Sequence, residues 1–281
     1  MKIGTMQGRL LPPTEGLFQS FPRDRWEEEF PRAEQAGLYS IEWIYDRFGE
    51  EMNPLATDAG IEKIKLLSAQ HKIEVRSVCA DYFMDLPLLR VSAGEKQERI
   101  SKLQWLLERC RLLPINRMVL PFVDASKIES AAEIQEVIEI IESIVESAAS
   151  AGIELHLETS LPPEEFSSLL TKIPHPLVKV NYDSGNSASL GYNVRDEFRA
   201  YGNRVGSVHI KDRIRGGGTV PLGSGGADLG TLFEELQKVG YNREFILQVA
   251  RGIEGDEIAW LRHNRMIVEQ SYLNPPQPIL K

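Results

Sequence analysis

Three features of the sequence predict an α/β fold of the (β/α)8 TIM-barrel class. Short apolar or β-branched runs alternate eight times with longer stretches of helical periodicity. Several of the helical stretches close on a glycine that leads straight into the next strand, the join that a βα repeat needs. The 281 residues come close to the ~250 typical of one such barrel. No G-x-G-x-x-G follows the first strand, which argues against an open dinucleotide-binding sheet. No long linker rich in Pro, Gly or Ser divides the chain, so residues 1–281 are expected to form a single domain.

Strands are expected at 2–8 (KIGTMQG), 39–46 (YSIEWIYD), 73–80 (IEVRSVCA), 117–123 (RMVLPFV), 153–159 (IELHLET), 178–183 (VKVNYD), 205–211 (VGSVHIK) and 244–250 (EFILQVA). Helices are expected at 25–36, 57–71, 95–113, 129–150, 162–172, 193–202, 228–239 and 256–270. The clearest is 129–150, where Ile134, Val137, Ile138, Ile141, Ile144, Val145 and Ala148 recur at three- and four-residue steps and glutamates fill the other face. Gly37, Gly152 and Gly240 stand where a left-handed residue closes a helix. Pro31 is expected to kink the first helix or shift its start. The Pro-bearing tail at 274–281 is expected to lie extended.

The formal net charge of −9 disfavours a duplex nucleic-acid partner, since that affinity comes from a cationic surface. Cys79 and Cys110 lie in core-like runs and are too few for a disulfide framework, which fits a reducing compartment. The chain opens without a long apolar leader, and no stretch reaches the ~18 apolar residues of a membrane helix. A cytoplasmic protein without membrane contact is expected.

In a barrel of this class the reacting groups come from the C-terminal ends of different strands. Glu158 ends the fifth strand, Asp183 the sixth, His209 the seventh and Gln248 the eighth. Two carboxylates, an imidazole and an amide oxygen on consecutive strands are a mixed O/N set for one divalent ion. Oxygen ligands tilt the choice toward Mn2+ or Mg2+, with Zn2+ and Co2+ as alternatives. Any one of these four residues taken singly reads equally well as a helix cap or an ion-pair partner; it is their register on four neighbouring strands that points to a site.

The run His209-Ile210-Lys211-Asp212-Arg213, the glycine-rich stretch after it and Leu222-Gly223-Ser224-Gly225-Gly226-Ala227-Asp228-Leu229 resemble the strand-7 loop of the xylose isomerase-like TIM barrels. Asp183-Ser184-Gly185-Asn186, Leu157-Glu158-Thr159-Ser160 and Val78-Cys79-Ala80 are similar to that superfamily's strand-6, strand-5 and strand-3 segments. It contains sugar-phosphate isomerases and epimerases, inosose dehydratases, hydroxypyruvate isomerase and AP endonuclease family 2. The resemblance implies that Glu158, Asp183 and His209 are metal ligands, and that barrels of this kind commonly form homo-oligomers. It also exposes a departure: the strand-8 position, usually Glu, is Gln248. A carboxamide coordinates through its oxygen but is no base near neutral pH. The usual two-base epimerisation is therefore disfavoured, leaving one-base isomerisation through an enediol(ate) with Glu158 moving the proton.

Other residues carry weaker signals. Lys211, Arg213 and Arg251 read either as a clamp for a phosphate or carboxylate or as solvated loop charges. Glu42, alternating in facing with Trp43, is expected to contact a substrate hydroxyl, and Asn186 joins the expected substrate contacts. The long loop 9–24 reads as a lid, an oligomer contact or a cover for the barrel rim. His156, two residues before Glu158, reads as a core or supporting histidine, and Cys79 as a small core residue. Together these readings predict a metal-dependent isomerase or epimerase acting on a sugar or sugar phosphate. A keto-sugar dehydratase and a non-catalytic sugar-binding relative are the alternatives. AP-endonuclease chemistry ranks lower, because Asn186 stands where the resembling nuclease carries a histidine and five histidines are few for its site.

Overall fold

The computed structural model describes residues 1–273; the tail at 274–281, expected to run extended, lies outside the described residues. Eight parallel strands close into a barrel: β1 (Ile3–Met6), β2 (Ile41–Ile44), β3 (Ser77–Cys79), β4 (Arg117–Phe122), β5 (Glu154–Thr159), β6 (Val178–Asp183), β7 (Val205–Ile210) and, as the eighth, β10 (Phe245–Leu247), which hydrogen-bonds both β7 and β1. Between β7 and β10 a small antiparallel ribbon, β8 (Asp212–Arg213) with β9 (Thr219–Val220), stands outside the barrel. The barrel strands are buried on both faces, by side-chain layers within and helices without, so they read as apolar runs rather than as alternating patterns.

The helices are α1 (Glu29–Ala36), α2 (Asp58–His71), α3 (Tyr82–Asp85), α4 (Ala93–Cys110), α5 (Ala131–Ala151), α6 (Pro163–Lys172), α7 (Ser184–Leu190), α8 (Val194–Tyr201), α9 (Leu229–Lys238) and α10 (Glu257–Leu273). All eight expected helices are present. Helix α5 buries Val137, Ile138, Ile141, Ile144, Val145 and Ala148 of the predicted stripe and leaves Glu139, Glu142 and Glu146 exposed. Pro31 shifts the first helix rather than kinking it. The α-helix begins at Glu29, after a 3-10 turn at Trp26–Glu28, so proline occupies the first turn, where a backbone N–H would have no intrahelical acceptor. Two helices were not anticipated, α3 and α7. Helix α7 opens Ser-Gly-Asn, residues that favour loops when read locally, and Asp183 starts it by accepting from the N–H groups of Gly185 and Asn186.

Alternation on β2 sends Trp43 outward, where its ring packs on Trp26 at 5.6 Å and Phe21 at 5.8 Å, and turns Glu42 into the barrel. At the N-terminal end of the barrel Arg117 is paired with Glu244 and hydrogen-bonded to Ser77, and Glu244 also accepts from Ser40. This buried ion pair closes the floor and leaves the opposite end for the site. Among the described residues no helix is long and apolar enough to cross a membrane.

Gly37, Gly152 and Gly240 have φ of 68°, 70° and 72°, so each helix–strand join turns on a left-handed residue. Nothing lies within 4 Å of a Cβ built on Gly152, so substitution there meets backbone strain and no clash. Gly152→Ala is expected to lower the unfolding free energy by about 1–2 kcal/mol, measured by urea denaturation, with the barrel intact by circular dichroism; a variant as stable as the parent would refute the left-handed join.

Candidate active site

The strand register brings the polar strand ends together. Asp183 on β6 lies beside His209 on β7, and Glu158 ends β5 next to Pro121 of β4. All three side chains are buried, and one ligand atom from each lies within 4.8 Å of the other two. His209 Nδ1 is 3.5 Å from Glu158 Oε2 and 3.9 Å from Asp183 Oδ2. Donors bonded to one ion at ~2.1 Å stand at most ~4.2 Å apart, so the two His209 separations and this O/O/N donor set fit a divalent metal.

Each donor is aimed by a neighbour. Glu42 Oε1 lies 2.6 Å from His209 Nε2 inside the barrel, so the proton of a neutral imidazole belongs on Nε2 and the Nδ1 lone pair faces the carboxylates. Asp183 spends Oδ1 on the Gly185 and Asn186 N–H groups, each at 2.8 Å, and turns Oδ2 to the site. Glu158 is held at both oxygens: Asn186 Nδ2 donates to Oε1 at 2.6 Å and Asn181 Nδ2 to Oε2 at 2.7 Å. Burial, and after it the charge of Asp183, raises Glu158 from the ordinary carboxyl range to about 7. Burial alone would lower His209, but Glu42 at hydrogen-bond distance, with Glu158 and Asp183, outweighs it and carries the imidazole to about 9.

A second set of groups borders the first. Lys211 Nζ lies 3.5 Å from Asp183 Oδ2 and 3.2 Å from Gln248 Oε1. Its stem lies against Gly185, where an added Cβ would stand 2.6 Å from Lys211 Cγ, so the glycine permits this approach. Gln248 Nε2 donates to Gln19 Oε1 at 2.9 Å, and Gln19 Nε2 donates to Asp81 Oδ2 at 2.6 Å. The loop 9–24 thus reaches across the mouth and joins the ends of β3 and β10. Burial raises Asp81 to about 6.

Several expected roles change. Glu42, expected at a substrate hydroxyl, has no exposed surface and is engaged with His209. Of the three cations expected to share one anion, the two arginines are committed elsewhere. Arg251 donates to the carbonyls of Phe18 and Leu11 and so fastens the loop 9–24; Arg213 donates to Gly217 O and to Asn186 Oδ1 at 2.8 Å. Lys211 alone of the three points into the site. Asn186, expected beside the substrate, is the relay by which Arg213 reaches Glu158. Cys79 is buried as expected, with its thiol donating to Asp81 at 3.0 Å and pushed up by burial.

The family model described as xylose isomerase-like TIM barrel matches residues 30–264. The chain belongs to the xylose isomerase-like TIM barrel family. No curated protein sequence matches it. Solved structures similar to this family member include the IOLI protein with a bound zinc atom, at 17% identity over 97% of this chain and 99% of that one, with a TM-score of 0.77. Others are an L-ribulose 3-epimerase, at 15% identity over 98% and 96% with a TM-score of 0.75, and a D-psicose 3-epimerase from Clostridium cellulolyticum H10 solved with D-tagatose, at 15% over 98% and 99% with a TM-score of 0.74. At these identities the likeness is one of fold.

Sequence reasoning overlooked Asn181, Gln19, Asp81 and Asp212. Asn181 was within reach, because it sits two residues before Asp183 and period-two facing turns both inward. Asp212 lies inside the motif already singled out. Its carboxylate accepts from the N–H groups of Gly223, Gly225 and Ala227 at 2.9 Å each, giving the glycine-rich loop its shape.

The Glu42–His209 contact carries a pH signature in the metal-free protein. Because His209 is raised from 6.5 to about 9, its stabilising contribution is full below 6.5 and lost as pH rises through about 9. Glu42→Gln removes the dominant raising charge, so the fall in stability between pH 6.5 and 9 is expected to shrink. Denaturant melts at both pH values with chelator present measure it; an unchanged fall would remove Glu42 as the cause.

Proposed function

We propose that this protein is a divalent-metal-dependent sugar or sugar-phosphate isomerase that moves a proton between carbons next to a carbonyl through an enediol(ate), with Glu158 as the group that carries the proton. The observation behind this reading is Glu158 itself: a buried carboxyl held at both oxygens by amides, near neutral in pKa, beside Asp183 and His209 in ligand geometry. A base poised near the working pH is what proton abstraction from carbon requires. That solved epimerases share the fold agrees with a sugar substrate.

Glu158, Asp183 and His209 would hold the ion, which when bound supplies positive charge to a carbonyl oxygen. The remaining work falls to the chain. Asn181 and Asn186 fix the plane of the Glu158 carboxylate, so its free lone pairs face one side of a bound sugar. Lys211 contributes a fixed positive charge at the strand-8 side, where its ammonium also holds the Gln248 carboxamide with oxygen inward. That carboxamide offers hydrogen bonds to substrate hydroxyls and accepts no proton from carbon. The site therefore favours one base acting on one face, which is isomerisation, over epimerisation by two carboxylates. Loop 9–24, pinned by Arg9, Gln19 and Arg251, closes the mouth against water.

Two outcomes are expected. With a panel of ketoses, aldoses and their phosphates in D2O, the metal-loaded protein is expected to place deuterium at a carbon next to the carbonyl of one of them, and Glu158→Gln to lower that rate by about 10²–10⁴. Product analysis in the same tubes separates isomerisation from loss of water, and absence of wash-in across the panel overturns the reading. Metal binding at pH 7.5 is expected to release about one proton, because His209, raised to about 9, must lose its proton to become a ligand. Calorimetry in buffers of differing ionisation enthalpy measures the number; zero protons released would exclude His209 as a ligand.

A further inference from the structure

We propose that Asn181 is the positioning residue of this centre, and that it is held by a buried hydrogen-bonded column running from the metal ligands through Ser207 to His156 inside the barrel. The proposal rests on the metal-site reading above. Asn181 Nδ2 donates to Glu158 Oε2 at 2.7 Å and lies 3.1 Å from His209 Nδ1, so the amide stands between two of the three ligands and fixes one of them. Its Oδ1 accepts from Ser207 Oγ at 2.6 Å, and Ser207 Oγ is hydrogen-bonded with His156 Nδ1 at 2.7 Å. His156 Nε2 faces Glu154 Oε2 at 3.0 Å, and Arg243 grips Glu154 at both oxygens. Glu154 and Arg243 line a floor cavity of about 500 Å³ at the opposite end from the mouth, so the column reaches from the site toward the floor.

The backbone is shaped around this column. Strand β7 slips in register against β6 between Val180 and Asn181, which sets Ser207 opposite Asn181 and leaves Gly206 as the extra residue. A Cβ on Gly206 would stand 2.7 Å from His156 Cε1. The irregularity therefore makes room for the imidazole and aligns the serine with the asparagine. Asn181, Ser207 and His156 are all buried within the barrel. A barrel core needs no polar groups for packing, and each unmatched one costs free energy. The Ser207 hydroxyl donates to Asn181 and the neutral His156, lowered by burial to about 4, donates through Nδ1 to Ser207, so these two links are matched, and the end of the chain is the carboxylate that must be aimed. Ser207 and His156 touch neither substrate nor ligand donor by hydrogen bond; they act through Asn181, which is the sense in which they position.

The test is the affinity of the purified full chain for Mn2+ and for Zn2+, each alone, by calorimetry, beside the melting temperature of the metal-free protein. Asn181→Ala is expected to weaken binding about 10–100-fold, the range for loss of a group that orients a metal ligand. Ser207→Ala, which leaves Asn181 in place but frees its carbonyl, is expected to weaken it by several-fold to about tenfold. Ser126→Ala, a buried serine bonded to the carbonyls of Pro121 and Val123 outside the column, should lower the melting temperature comparably and leave the affinity unchanged. If Asn181→Ala does not fold, Ser207→Ala decides. Parent-like affinity in the folded column variants, or an equal loss in Ser126→Ala, overturns the column while the metal centre stands. A parent protein that binds neither ion overturns both.

Discussion

Two carboxylates buried side by side repel, and the architecture of the barrel mouth answers that repulsion. Glu158 and Asp183 project from adjacent strands into a region closed to water, where a negative charge without a counter-charge is costly. In the metal-free chain the response is divided. Glu158 rises to about 7 and takes up a proton readily, His209 is held as imidazolium by Glu42, and Lys211 brings its ammonium against Asp183. A divalent ion would answer the same negative charges at once, in keeping with the O/O/N donor set.

Around that cluster the chain assigns each oxygen a separate task. The helix cap takes one Asp183 oxygen and leaves the other inward. Two asparagines take opposite oxygens of Glu158, one reinforced by Arg213 at the rim and one by Ser207 within the barrel. This division fixes the plane of the Glu158 carboxylate, which is held at both oxygens. The same economy extends to the mouth, where Gln19 couples the covering loop to Asp81 and to Gln248. At the strand-8 end the Gln248 amide is held between Gln19 and the Lys211 ammonium.

Much of this was legible in order along the chain. Strand β6 spans the expected 178–183 because β-branched residues and a turn sequence bound it, and α5, expected at 129–150, lies at Ala131–Ala151 because its apolar stripe repeats at helical spacing. Strand β3 is shorter than expected: Ile73–Arg76 alternates apolar and charged residues as a strand does, yet only Glu74 forms a bridge, to Ser40, before the ladder proper begins at Ser77. Helix α7 was missed because its start depends on a single side chain, Asp183, capping residues that do not favour a helix by themselves. Facing rules bring Glu158, Asp183 and His209 together and turn Glu42 inward without naming its partner. A residue turned inward on β2 can meet either the substrate or a histidine from β7, and spacing along one strand does not choose between them.

By itself, then, the amino-acid order determined the repeating βα architecture and the identity of the buried acids and imidazole, because periodicity, glycine joins and strand-end position are local properties of the chain. Only the closed barrel decided which partner each group meets: His209 with Glu42, Asn181 with Ser207, Arg251 with the loop carbonyls rather than with a ligand. Those pairings depend on register between strands and on the return of distant loops, and the energy that selects among them is the cost of leaving a buried polar group unmatched, which exists only once the sheet has closed on itself.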